Sequence, residues 1–299
     1  MSLGSYEVFV AIVERGSLAA AAQQLNLSPS AVSHALATFE QSLGFSLFIR
    51  SRTGVKLTAG GEALLPFVRE VLQANEKLGQ HASQMQGLEA GTVTIGTFSS
   101  VSVVWMPRII RSFRELYPQV KVVIEQGGYD DVSEGILKSR VDIGFVTSPG
   151  AVGLDLTPLY SDPMVCIAPD DFTPRNRSYM TVAELADMDV VVQREDSGKD
   201  LQQLLSARKV VVRASARAAD DATIIAMVEC GLGVSVIPDL ALQHYQSKVR
   251  AYPFFPAESR AIALASLSYD ALSPAARAMH DHIVQSVGAW AQGRLSPER

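Results

Sequence analysis

The sequence predicts an α/β protein with an all-α head at its N-terminus. Three observations carry this. Apolar residues recur at helical spacing through residues 3–43, in runs separated by serine N-caps and chain-breaking residues. A heptad-like spacing then persists from Leu64 to Met85. From Thr92 onward, short β-branched runs alternate with helical ones. The 299 residues are enough for about two domains.

In the head, Leu3, Tyr6, Phe9, Val10 and Val13 form a first helix, closed by Gly16. Ser17 N-caps a second helix, in which Leu18, Ala21, Ala22 and Leu25 share one face. Its alanine run keeps that helix slim, so a neighbour can cross it closely. Asn26-Leu27 breaks the pattern. Ser28 is a good N-cap, and Pro29 suits the first helical position because its missing N–H is not needed there. Val32, Leu36, Phe39 and Leu43 make a buried stripe on this third helix, and Ser30, Ser33 and His34 occupy the opposite face. Phe48–Thr58 reads as a β-hairpin with a Thr53-Gly54 turn and cationic arms. Three helices and a basic hairpin make a winged helix-turn-helix over residues 1–60.

Residues 61–88 read as one long helix. Leu64, Val68, Val71, Asn75, Leu78, Ala82 and Met85 alternate spacings of four and three, which favours a dimer seam over a helix lying on its own domain. Asn75 within such a seam fixes register at some loss of stability. Glu89-Ala90-Gly91 reads as a hinge.

Beyond it, strands at 92–97, 120–125 and 141–146 alternate with helices at 102–117 and 131–138, which predicts a parallel sheet covered by helices. A second set starts near Met164. It has a Thr181…Glu184 capping box, strands at 190–192, 210–214 and 234–237, and a helix at 222–230. A last strand at 262–267 precedes a helix opened by Ser273-Pro274. The expected domain of 92–299 therefore has two lobes, one of about 92–163 with 268–299, the other of about 164–267.

The net charge of −5 is unevenly spread. Residues 1–60 carry Arg15, Arg50, Arg52 and Lys56 against Glu7, Glu14 and Glu40, and no acid lies between Gln41 and Gly61. A local basic patch can bind phosphate on an acidic protein, because charge effects are screened within about 8–10 Å. Two cysteines, Cys166 and Cys230, fit a reducing compartment and read as small buried hydrophobes. No signal-peptide pattern and no membrane-spanning apolar run is apparent. No nucleotide-loop, nucleophile-elbow or zinc-helix motif occurs. Asp220-Asp221 reads as a helix start, and His280 and His282 are spaced i, i+2, so neither a metal nor a cofactor is expected.

The head carries the strongest functional signal. Ser28, Pro29, Ser30, Ser33 and His34 are placed to face a DNA groove, while Arg50, Arg52, Lys56 and Thr58 are placed at the backbone or minor groove. The competing reading is a helical subdomain without a DNA role, and the acid-free basic hairpin weighs against it.

The stretch from Phe9 to Gly61 resembles the N-terminus of LysR-type transcriptional regulators. The matching residues are Phe9, Gly16-Ser17, Ala21-Ala22, Leu25, Ala31-Val32-Ser33, Glu40, Leu43-Gly44, Leu47-Phe48, Arg50, Leu57-Thr58 and Gly61. Pro29-Ser30, His34 and Phe39 depart from the common pattern. The resemblance implies a winged domain, a linker helix and a two-lobed, periplasmic-binding-protein-like (Rossmann-like) effector domain. The chain is expected to act on promoter DNA in the cytoplasm as a dimer paired through Leu64–Met85, with RNA polymerase as a further candidate partner, and the resemblance implies that two dimers form a tetramer.

Hydroxyl-rich strand ends mark the expected effector crevice: Thr97, Ser99, Ser100 and Val101 after one strand, Thr147 after another, Gln193 in the second lobe. Few acids are expected there, which favours a small organic anion. The bland alternative for the first group is a simple helix cap. A transport receptor with a vestigial head and an enzyme using the crevice are the rival functions. The missing leader pattern counts against the first, and the missing catalytic constellation against the second.

Overall fold

The computed structural model describes residues 2–51, 54–85, 90–148, 151–194 and 200–293. The chain divides near residue 88 into two compact units.

The first unit opens with α1 (Leu3–Arg15), α2 (Leu18–Leu25) and α3 (Pro29–Leu43). Each boundary has a chemical cause. The Ser2, Ser17 and Ser28 side chains accept from the backbone N–H of Ser5, Ala20 and Ala31, satisfying a donor that the helix leaves free. Gly16, Asn26 and Gly44 end the helices in the left-handed region, which glycine and asparagine tolerate. Strands β1 (Phe48–Ser51) and β2 (Gly54–Leu57) pair antiparallel as the wing. Gly54 belongs to β2 rather than to the turn, and Arg52 and Thr53 lie outside the described residues. The Glu40 carboxylate accepts from Leu47 N at 2.6 Å and Phe48 N at 3.3 Å, fixing the start of the wing to α3. The core is aromatic. Phe39 meets Tyr6 and Phe9 edge-on, and Phe9 meets Phe48 at 5.5 Å between ring centres.

Helix α4 spans Ala59–Met85, beginning two residues before the expected Gly61. Residues 86–88, the rest of the expected linker, lie outside the described residues.

The second unit begins with β3 (Gly91–Thr97). The expected single helix over 102–117 is two, α5 (Ser99–Val104) and α6 (Met106–Leu116). Pro107, in the first turn of α6, has no N–H to continue the ladder, and the chain restarts at Trp105. There follow β4 (Val120–Gln126), α7 (Tyr129–Leu137), β5 (Ile143–Ser148) and the long β6 (Asp155–Ala168). A β-carbon on Gly144 would lie 2.5 Å from Val132 Cγ1, so α7 packs against the sheet only because that position is bare.

The capping box at Thr181 and Glu184 opens a 3-10 turn, Val182–Asp187. Beyond it lie β7 (Asp189–Gln193), α8 (Asp200–Arg208), β8 (Arg213–Ala218), α9 (Asp221–Glu229), β9 (Ser235–Pro238), α10 (Asp239–Leu242), β10 (Arg250–Pro253), β11 (Ser259–Ser266) and α11 (Pro274–Ala291). The expected strand at 210–214 forms three to four residues later, as β8.

Only β4, β3 and β5 form the expected parallel sheet, and β11 and β6 extend it antiparallel. Strand β6 belongs to both lobes. Residues 155–163 pair with β11, and residues 164–168 pair with β9 and β10. Strand β11 therefore lies in the first lobe, so the chain returns there by Ser259, earlier than the expected boundary at 267. Helix α11 packs into the same lobe, where Met279, Ile283 and Val287 join Trp105, Phe113 and Phe145. The second lobe has its own core around Met180, Leu185, Val190 and Val234.

Candidate functional site

On α3 most of the expected groove face is exposed. Val32, Leu36 and Phe39 are buried on one side, while Ser28, Pro29, Ser30 and His34 are exposed and Ser33 is half-buried. Ser28 has two partners already, since its hydroxyl accepts from Ala31 N and pairs with Ser30 Oγ at 3.0 Å. Lys56 is exposed on β2. Arg50 stands opposite Val55 in the wing, its side chain outside the description, as is Arg52 altogether. Thr58 is committed internally. Its hydroxyl donates to Ser46 O at 2.8 Å and accepts from Gly61 N at 3.0 Å, capping α4. Along α4, Val68 is buried against the head and Leu64 packs beside it, whereas Val71, Asn75 and Leu78 are exposed. The expected seam therefore splits: its first two positions belong to the core of the head.

The other site lies in the second unit, where its lobes meet. Of the expected effector residues, Thr97 and Val101 are fully buried. The Thr97 hydroxyl bonds to Ser102 Oγ and Phe98 O. Ser99 is half-buried at the start of α5, while Thr147 and Gln193 are half-buried near the ends of β5 and β7. Ser100 is buried and accepts from Arg260 Nη2 at 2.7 Å.

Arg260 is the centre of a network that sequence reading missed. A guanidinium has five N–H donors, and all five are used. Nε and Nη2 donate to Asp162 Oδ2 at 2.9 and 2.7 Å, Nη2 to Ser100 Oγ, and Nη1 to Tyr129 OH at 2.5 Å and Asp200 Oδ2 at 3.2 Å. The Tyr129 hydroxyl donates onward to Asp200 Oδ2. Asp162 accepts a further bond from Leu240 N. The Phe98 ring lies beneath the guanidinium, 5.1 Å from its carbon. Ser100, Tyr129 and Arg260 come from the first lobe and Asp200 from the second, so this cluster ties the lobes together.

Burial works against the Arg260 charge, yet Tyr129, Asp200 and Asp162 outweigh it and raise its pKa. Burial pushes the Tyr129 phenol well above its usual range, and raises the Asp162 carboxyl despite the opposing Arg260.

The expectation of few acids here does not hold. Asp162, Asp200 and Asp221 arrive from three separate elements, and only the fold brings them together. The Asp220-Asp221 pair divides its work. Asp220 caps α9 through Thr223 N at 2.8 Å. Asp221 is 9 % exposed and makes no hydrogen bond or ion pair among the described residues. Burial first, then Asp200, Asp220 and Asp162, raise its pKa to about 6 against the pull of Arg260. Of the two cysteines, Cys166 is buried as expected, its thiol pushed up to about 12 mainly by burial, whereas Cys230 is exposed, against expectation. His280 bonds to Thr157 and His282 to Ser112, so the two point to different partners.

A helix-turn-helix head followed by a two-lobed α/β domain defines a class, that of ligand-responsive DNA-binding regulators. The comparisons give the family. Residues 3–62 match the model for bacterial regulatory helix-turn-helix proteins of the lysR family, and residues 86–288 match the LysR substrate binding domain. The chain belongs to the LysR family of DNA-binding transcriptional regulators with an effector-binding domain. It is 31% identical over 243 residues to the uncharacterized regulator YvbU of Bacillus subtilis, covering 81% of this chain and 83% of that one. Full-length OxyR from Pseudomonas aeruginosa, in a variant form, shares the fold at TM-score 0.78 and 21% identity, over 96% of this chain and 94% of that one. The effector binding domain of QuiR, solved with shikimate, matches at TM-score 0.59 and 17% identity, over 67% of this chain and 98% of that one. Among the described residues, no helix is long and apolar enough to cross a membrane.

Proposed function

We propose that the chain reads promoter DNA through α3 and the wing, works in the cytoplasm as a paired molecule, and is switched by a small organic anion bound between its lobes. It acts as a regulator, without catalysis or a cofactor. The observation that carries the DNA reading is the two-sided character of α3. Val32, Leu36 and Phe39 are buried, while Ser30 and His34 stand exposed on the opposite face. Ser28, Pro29 and Ser33 complete the face, Arg50, Arg52 and Lys56 hold the backbone, and Thr58 supports the wing from inside. A structure of CbnR bound to its target DNA shares this fold at TM-score 0.64.

Pairing is assigned to α4. Val71 and Leu78 are 44% and 70% exposed. Apolar side chains this exposed on a heptad spacing are what a second helix covers. Two pairs forming a tetramer, and contact with RNA polymerase, extend the same reading.

The anion is assigned to Arg260. Because all five donors are in use, a ligand carboxylate reaches the guanidinium by replacing Asp200, the acceptor lent by the second lobe. Exchange of an internal carboxylate for an external one alters how the lobes are tied, and so couples ligand to domain geometry.

The DNA reading is tested by Lys56→Ala. Fluorescence anisotropy on duplex DNA flanking the gene should show weaker binding to every sequence, and a slope of log K against log salt smaller by about 1. A change confined to one preferred sequence would remove Lys56 from the backbone contacts.

A further inference from the structure

We infer that the ligand of the inter-lobe cleft carries a protonated amine as well as a carboxylate, with Asp221 as the acceptor for the amine. The inference rests on the anion reading above and deepens it.

The observation behind it is Asp221 itself. Its side chain is nine-tenths buried at the start of α9, faces Arg260, Asp200 and Asp162, and has no hydrogen-bond donor among the described residues. A buried carboxylate without a donor is costly, and proteins retain one where a partner comes and goes. Its neighbour shows that position is not the cause. Asp220, one residue earlier and exposed, is fully used as the helix cap, bonding Thr223 through both N–H and hydroxyl.

Charge counting points the same way. Arg260 and Asp162 form a neutral, doubly bonded pair. Asp200 accepts one Arg260 N–H at 3.2 Å and the Tyr129 hydroxyl. If a ligand carboxylate displaces Asp200, then Asp200 and Asp221 are both left without a cation among the described residues. A simple anion therefore adds a third negative charge to the cleft. A ligand with a protonated amine supplies the missing cation in the same event. Both carboxylates come from the second lobe, Asp200 opening α8 and Asp221 opening α9. The ligand's anionic end would thus be held by the first lobe and its cationic end by the second, which gives the two ends separate grips on the two lobes.

The test uses the full chain in isothermal calorimetry at pH 7.5. Its probes are α- and ω-amino acids of two to six carbons. Each is paired with the hydroxy acid in which a hydroxyl replaces the amine, and with the alkylamine that lacks the carboxylate. The expected result is an amino acid that binds at least tenfold more tightly than either of its partners. Asp221→Asn should remove the preference over the hydroxy acid, and Ser100→Ala should weaken binding of both. Hydroxy acids binding as tightly as amino acids, with Asp221→Asn without effect, would overturn the inference while leaving the anion reading intact. Alkylamines binding best would overturn the anion reading. An absence of binding by every probe would overturn both. Circular dichroism and melting of each variant establish that it is folded.

Discussion

Replacing Arg260 by Met is expected to destabilise the effector domain by about 3–5 kcal/mol, the cost of leaving a buried charge without its partner. Met keeps the contact with Phe98 but removes all five hydrogen bonds. Asp162 is then left at 0% exposure with only Leu240 N as donor. Asp200 loses one of its two partners. The sign does not depend on the pair being intrinsically favourable, since desolvation offsets much of its Coulomb attraction. It depends on removing one member only. Adding Asp162→Asn to Arg260→Met should therefore recover much of the loss, because Asn still accepts from Leu240 N and carries no charge. The control is Arg250→Met. Arg250 pairs with Asp170 on the surface, with side chains 55% and 74% exposed, and such pairs contribute about 0–1 kcal/mol. Denaturant titration followed by tryptophan fluorescence reads this directly, because Trp105 and Trp290 both pack in the first lobe. A loss below about 1 kcal/mol for Arg260→Met, comparable with the control, would mean the network is not closed as described.

The opposite change is expected at Asp221. Its folded-state pKa of about 6 lies above the usual carboxylate value near 3.9. Between these values the folded chain binds a proton that the unfolded chain has released, so this group lowers stability as pH rises from about 4 to about 6. Above pH 6 the penalty is fully present. Asp221→Asn removes it, and should stabilise the domain at pH 7.5 by something on the order of 3 kcal/mol, with no gain near pH 4. The facing groups set this balance: Arg260 lowers the pKa, while Asp200, Asp220 and Asp162 raise it. Denaturation midpoints of wild type and variant at pH 4.5, 6 and 7.5 should diverge with rising pH. Parallel curves would show that Asp221 is not the buried, unpaired group described. A residue whose loss stabilises the fold is one retained for something other than the fold.

The head was largely legible in the sequence because its determinants are local. Ser17, Ser28-Pro29 and Gly16 act within one turn of where they stand, and the Val32–Leu36–Phe39 stripe needs only the helical period. The capping box at Thr181 was equally visible. The break at Trp105 leaves no mark in the helical periodicity, which continues across it; its local sign is Pro107. Cleft residues were harder. Ser100 was found through the hydroxyls following β3, but its partner is 160 residues away in sequence. A signal did exist. In β11, Arg260 occupies the same alternate positions as Ile262 and Leu264, and in β6 Asp162 occupies those of Met164 and Cys166. A charge in a core-facing register of a strand requires a partner, and two such strands invite the guess that they supply each other. Asp221 had no comparable local mark, since helix starts commonly carry aspartate for capping. Its isolation is visible only once β6, α8 and β11 have been assembled around it.

The most direct test of the account is a mobility-shift titration of the full chain on DNA flanking its own coding region, with the same DNA scrambled as competitor. Binding to the native duplex roughly 10³-fold tighter than to the scrambled one, weakening as salt rises, is the result expected of a regulator reading sequence through α3 and the wing. Equal retardation of both duplexes, or none at any salt concentration, would contradict it.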